Sequence, residues 1–94
     1  MSYFAVQYSY ADEPDRIAEH RPAHRAFLRG LLDAGTLLAA GAYTDDPAGA
    51  LLLLRADSVE EVNAALDEDP FRRHALITDR TTRGWSAAIG PWAD

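Results

Sequence analysis

Polar and apolar positions alternate at the start of the chain. Phe4, Val6, Tyr8 and Tyr10 are separated by Ala5, Gln7 and Ser9. This period of two, rich in aromatic and β-branched residues, predicts a strand over Tyr3 to Tyr10. Asp12-Glu13-Pro14 reads as a turn or helix start, with acids at the positive end of a helix and proline in its first turn. Pro22 follows within the same stretch, and the expectation is a new helix opening there after a short turn. From Pro22 to Ala34 the period is helical. His24, Phe27, Leu28, Leu31 and Leu32 form one stripe, with Arg25, Arg29 and Asp33 on the opposite side. Gly35 falls where a helix C-terminus favours glycine.

Thr36 to Tyr43 predicts a second strand, Thr44 to Ala48 a polar turn, and Gly49 to Ala56 a third strand. Ser58-Val59-Glu60-Glu61 is a capping box opening a helix that runs to about Glu68 and ends before Pro70. Phe71 to Ala75 reads as irregular or a single turn, and Leu76 to about Trp85 as the fourth strand. Ser86 to Asp94 is a tail whose Ile89, Pro91 and Trp92 are expected to dock. The order β-α-β-β-α-β predicts an α+β, ferredoxin-like sandwich with two helices on one face of an antiparallel sheet. Leu51 to Leu54 is apolar without interruption, which implies that both sheet faces are covered. The helices cover one, so the expectation is a homodimer through the other sheet face.

Composition narrows the function classes. Ninety-four residues and one pattern predict a single domain over residues 1–94, with 86–94 as its tail. Without cysteine there are no disulfides, thiolate metal sites or thiol nucleophiles. All nine basic residues are arginine, which removes Schiff-base chemistry and a P-loop lysine. The net charge of −6 repels phosphate backbones and anionic lipid, so neither nucleic acid nor a membrane is an expected partner. No secretory signal and no long apolar run is visible, making the cytoplasm the expected location.

His24 shares the apolar stripe, where imidazole is either a buried structural group or a general base at the mouth of a cleft. His20 lies four residues before it, a metal-ligand spacing, but the pair lacks the following glutamate and has Pro22 between. No metal is expected, and His20 and His74 read as solvated surface. Asp67-Glu68-Asp69 places three acids where the helix dipole disfavours them, unless Asp69 faces a cationic or hydrogen-bonding partner. The tyrosines read as core, or as a source of a pocket hydroxyl.

Arg21-Pro22-Ala23-His24, then Phe27-Leu28, Gly35 and Ala40-Gly41, resemble the first half of the YCII-related (YciI-like) family. Gly49, Ser58-Val59-Glu60-Glu61, Asp69-Pro70-Phe71 and Arg83-Gly84-Trp85 match its second half. The resemblance spans about Tyr3 to Trp85 and implies a dimeric α/β barrel. It implies an active-site pair at His24 and Asp69; Arg21, Phe71 and Tyr8 are the candidates for holding substrate beside that pair. It also implies cofactor-free acid–base chemistry, elimination or dehydrochlorination or isomerisation, on a small cyclic or aromatic metabolite. A non-catalytic ligand-binding or regulatory dimer is the alternative. The chain departs from the family at Ala42 and Ala50, where proline and serine are common.

Overall fold

The computed structural model describes residues 2–93; Met1 and Asp94, the two ends of the expected domain, lie outside the described residues. In chain order the elements are β1 (Ser2–Tyr10), α1 (Pro14–Asp33), β2 (Leu37–Ala42), β3 (Gly49–Ala56), α2 (Val59–Leu66), α3 (Pro70–Arg73) and β4 (Ile77–Trp85). The strands form one antiparallel sheet in the order β2-β3-β1-β4, the ferredoxin-like topology.

Register explains which residues meet the helices. Phe4 pairs with Leu54, Val6 with Leu52 and Tyr8 with Ala50, and all six are buried on one face. Ile17 and Leu28 of α1, Val62 and Leu66 of α2, and Phe71 of α3 close over them. On the other face Ala5 and Ala39 flank Leu53, and Gln7 and Gly41 flank Leu51. Leu51 and Trp85 are exposed there and Leu53 is half-buried, so the second face is open in the single chain. Gly49 pairs beside Tyr8, where a Cβ would collide with the Tyr8 carbonyl oxygen.

Helix ends follow local chemistry. Past Asp33 the chain closes a Schellman turn: Thr36 N–H donates to the Leu31 carbonyl, Gly35 N–H donates to that of Leu32, and Gly35 takes φ +82°. At α2, Ser58 Oγ accepts from Glu61 N–H, and the Glu61 carboxylate accepts from Asp57 N–H.

Three expectations need correction. Pro22 does not open a new helix; it lies within a single 20-residue α1. Both Pro22 and Ala18, whose carbonyl loses its helical donor, are exposed, so water can satisfy the freed carbonyl while Ile17 and His24 anchor the turns on either side. The tail does not dock through Ile89, which is 95% exposed, and Leu32 leaves the apolar stripe at 50% exposure. Among the described residues no helix is long and apolar enough to cross a membrane.

Candidate functional site

The site forms where α1 meets α3. Asp69 ends the turn after α2 with φ −59° and ψ 128°, an extended conformation that Pro70 enforces on its predecessor. Its carboxylate accepts from Phe71 N–H at 2.9 Å and so caps α3. The three-acid run is therefore a junction, not a helix end crowded with like charge. Asp67 sits against Arg72 and Arg80, and Glu68 against Arg73, leaving Asp69 to turn inward.

His24 reaches it from α1. Nδ1 lies 2.8 Å from Asp69 Oδ1 and 3.0 Å from Oδ2, across 45 residues of sequence. Asp69 is 0% exposed and His24 is 7% exposed. Tyr8 donates its hydroxyl to Oδ2 at 3.1 Å from beneath, on β1. Three donors converge on one carboxylate, which acts only as an acceptor; Nδ1 therefore carries the ring proton. That leaves Nε2 without a hydrogen-bond partner among the described residues, on a side chain that lines a cavity. The imidazole stacks on Phe71, ring centroids 3.9 Å apart and nearly parallel at 7°, and Phe71 meets Tyr10 edge-on at 5.4 Å. These contacts fix the ring plane.

Burial pushes the Tyr8 phenol well above its ordinary range, and the Asp69 charge and hydrogen bond add to the shift, while Arg80 on the neighbouring strand opposes it. Tyr8 is thus held as a donor. Tyr10 is pushed up to about 12, by burial first and then by the Asp69 charge, with Arg21 opposing. Arg80 Nη1 lies 2.9 Å from Asp67 Oδ1 but makes no well-aligned hydrogen bond.

The cavity beside His24 has a volume of about 190 Å³. Arg21, Arg25, Tyr10 and Phe71 line it with His24, and the small residues Ala40, Gly41, Ala42 and Ala50 form much of the remaining wall. Of the residues named from sequence, His24, Asp69 and Phe71 come together and Arg21 stands at the cavity. Tyr8 does not: it is 2% exposed and engages Asp69 from below instead of facing the cavity, correcting its reading as a substrate contact. Arg25, assigned to the solvent side of α1, lines the cavity, and its spacing of four from Arg21 was the signal. Tyr10 was also legible, since strand alternation puts it on the same face as Tyr8.

The His20 and His74 rings stack at 3.8 Å, joining α1 to the end of α3, with His74 exposed as expected and His20 half-buried. Among the described residues no group of three His, Cys, Asp or Glu side chains is arranged to hold a metal ion.

The fold and much of the chain are shared with known proteins. A search of the curated proteins finds no match. Among solved structures, the chain is similar to 5-chloro-2-hydroxyhydroquinone dehydrochlorinase (TftG) from Burkholderia phenoliruptrix, in complex with 2,5-dihydroxybenzoquinone. The identity is 23% over 98% of this chain and 99% of that one, with a TM-score of 0.79. An antibiotic biosynthesis monooxygenase relative from Nitrosomonas europaea gives 12% identity over 95% and 100% of the two chains, TM-score 0.63. The cofactor-independent oxygenase SnoaB from Streptomyces nogalater gives 14% over 95% and 94%, TM-score 0.53. At these identities the likeness is one of fold. The family assignment rests on sequence: the model of the YCII-related domain matches residues 1–86, and the chain belongs to that family.

Proposed function

We propose that this protein is a small enzyme that performs acid–base chemistry on a small ring compound, with His24 as the base and Asp69 as the group that orients it. One observation carries the reading: a buried His24–Asp69 hydrogen bond of 2.8 Å leaves Nε2 as the unpartnered ring nitrogen at a cavity. Nε2 takes a proton from a ring carbon or hydroxyl next to a carbonyl or phenol. The Asp69 carboxylate stabilises the resulting imidazolium without itself becoming protonated. The electron pair left on the substrate forms a new double bond, and a leaving group such as chloride departs from the adjacent carbon with its bonding electrons. The imidazolium then returns its proton to water, so the substrate has lost one proton and one anion. If no leaving group is present, return of the proton to another carbon gives isomerisation. Neither route requires a metal or organic cofactor.

The chemistry of the dehydrochlorinase that this fold resembles fits the first route. Arg21 and Phe71 belong to the substrate's surroundings in this reading, and Tyr8 is a positioning residue acting through Asp69. We further propose that two copies pair through the sheet face carrying Ala5, Ala39, Leu51 and Leu53, closing a dimeric α/β barrel. A panel of chlorinated and hydroxylated single-ring compounds, followed by ultraviolet absorbance and chloride release, tests the reaction. His24→Gln should lower turnover of any accepted substrate by about 10²–10⁴-fold. Adding Asp69→Asn to it should cost much less than the product of the two single losses. Unchanged turnover in His24→Gln would remove His24 from the chemistry.

A further inference from the structure

Charge is distributed unevenly around the cavity. The protein carries −6 overall, yet the residues that line the cavity include Arg21, Arg25, His24 and Tyr10 and no aspartate or glutamate. Asp69 lies behind the His24 ring, its oxygens engaged by three donors. Arg16, Arg72, Arg73 and Arg80 each lie within 4 Å of a carboxylate. Among the described residues Arg21, Arg25, Arg29, Arg55 and Arg83 have no such partner, and of these Arg21 and Arg25 line the cavity, one helical turn apart on α1 and flanking His24.

A second hollow adjoins the first and shares Tyr10, Arg21 and Ala42 with it, but it carries Asp12, Asp45 and Asp46. Charge therefore changes sign across Arg21. Arg25 lines only the inner cavity, so an anion is attracted there and repelled by the outer hollow. Volume adds a second constraint. An apolar cavity of about 150 Å³ accepts benzene, so about 190 Å³ holds one six-membered ring with one or two small substituents.

We infer that the inner cavity selects a single-ring organic anion, a carboxylate or phenolate, whose charged substituent is held between Arg21 and Arg25 while the ring lies against His24. Arg25 is then a specificity-determining residue. The inference rests on the proposed reaction site only for the position of the ring beside Nε2; selection of the anion stands on the cavity's own charge. The guanidinium forks suit a planar carboxylate or phenolate oxygen, and their exposure limits each to a modest contribution.

Binding can be read without turnover. Benzoate, its neutral isostere benzamide and the cation benzylammonium are titrated into the full chain, with backbone amide chemical shifts as the readout. Benzoate should shift residues 21–25 and Phe71, bind about tenfold more tightly than benzamide, and far exceed benzylammonium. Arg21→Gln and Arg25→Gln should each weaken benzoate by about two- to fivefold and leave benzamide unchanged. Arg25→Lys, which keeps the charge, should restore part of the loss. Equal affinity for benzoate and benzamide, or an Arg25→Gln variant that binds benzoate as the parent does, overturns the inference. The two readings separate cleanly. Benzoate selection in a protein that turns nothing over leaves this inference standing and ends the catalytic one. Turnover of neutral rings with no benzoate preference does the reverse.

Discussion

Asp69→Asn interrogates the site through its hydrogen bonds, before any substrate is known. In the parent, Oδ1 accepts from Phe71 N–H at 2.9 Å and lies 2.8 Å from His24 Nδ1, while Oδ2 lies 3.0 Å from Nδ1 and 3.1 Å from the Tyr8 hydroxyl. Asparagine can keep its oxygen on Phe71, which places the amide nitrogen where Oδ2 was. A donor now stands 3.0 Å from Nδ1 where an acceptor stood, in competition with the retained oxygen 2.8 Å away, which favours a bare Nδ1 and the imidazole proton on Nε2. The Tyr8 hydroxyl must turn to accept, leaving its own proton unpaired in a residue only 2% exposed. Converting two charge-assisted bonds to neutral ones costs about 1 kcal/mol each, and the orphaned hydroxyl proton about 1–3 kcal/mol. Part of this is offset because a neutral amide needs no charge desolvation. The net loss is about 2–4 kcal/mol, which for a chain of this size is a fall in Tm of roughly 10–25 °C. Such a variant remains folded, since a domain of this length has a margin of roughly 5–14 kcal/mol.

Two measurements check this: thermal unfolding, and ¹⁵N NMR of the imidazole ring to read which nitrogen is protonated. The parent should carry its proton on Nδ1 and the variant on Nε2. With Nε2 already protonated the base is disabled, and turnover of any substrate should fall by about 10⁴-fold while the backbone stays in place. A variant that still protonates Nδ1 and melts within a few degrees of the parent would refute the reasoning, because the carboxylate would not then be setting the tautomer.

The stability that Tyr8 and Tyr10 contribute should be level up to about pH 10 and fall above it. The folded chain holds the Tyr8 and Tyr10 protons more tightly than the unfolded one, Tyr10 up to about 12 and Tyr8 beyond it. The folded state therefore binds more protons in that window, and stability declines by at most about 1.4 kcal/mol per pH unit for each fully buried phenol, less for the partly exposed Tyr10. Denaturant titrations at pH 9 and 11 should show the drop, and an equal drop in Tyr8→Phe would count against it. Gly49→Ala should destabilise by about 1–3 kcal/mol through the collision with the Tyr8 carbonyl, as seen in the denaturation midpoint; an unchanged midpoint would mean the strand pair can open there. Leu53→Arg, at the centre of the open sheet face, should halve the mass seen by light scattering; a parent that is already monomeric at micromolar concentration would end the dimer proposal.

The element order was legible because each segment carries its own period and its own punctuation: alternation over Phe4 to Tyr10, the Ser58 cap, glycine at position 35. Pro22 was not. Its effect depends on whether the freed Ala18 carbonyl meets water or protein, which is a matter of where α1 lies on the sheet. The approach of His24 to Asp69 was suggested by family resemblance and topology, but its geometry depends on the Asp69 cap of α3, whose four residues carry too short a pattern to read. Tyr8 and Arg25 were misplaced for one reason. A face can be assigned from periodicity, but depth cannot: Tyr8 is buried beneath the Asp69 carboxylate, and Arg25 is exposed yet lines the cavity.

Asp69 is tied to two separate tasks, capping α3 and holding His24. Selection on folding alone would therefore preserve it. A relative that had lost its reaction and kept only its shape would still retain the aspartate, and with it a partner that favours histidine on α1. Retention of the pair along a lineage is thus weak testimony to activity. Changes at the cavity wall, at the exposed Arg21 or Arg25, carry no such structural duty and would drift first once the chemistry was abandoned. In this fold, the residues that report whether a descendant still works are the ones around the histidine, not the histidine itself.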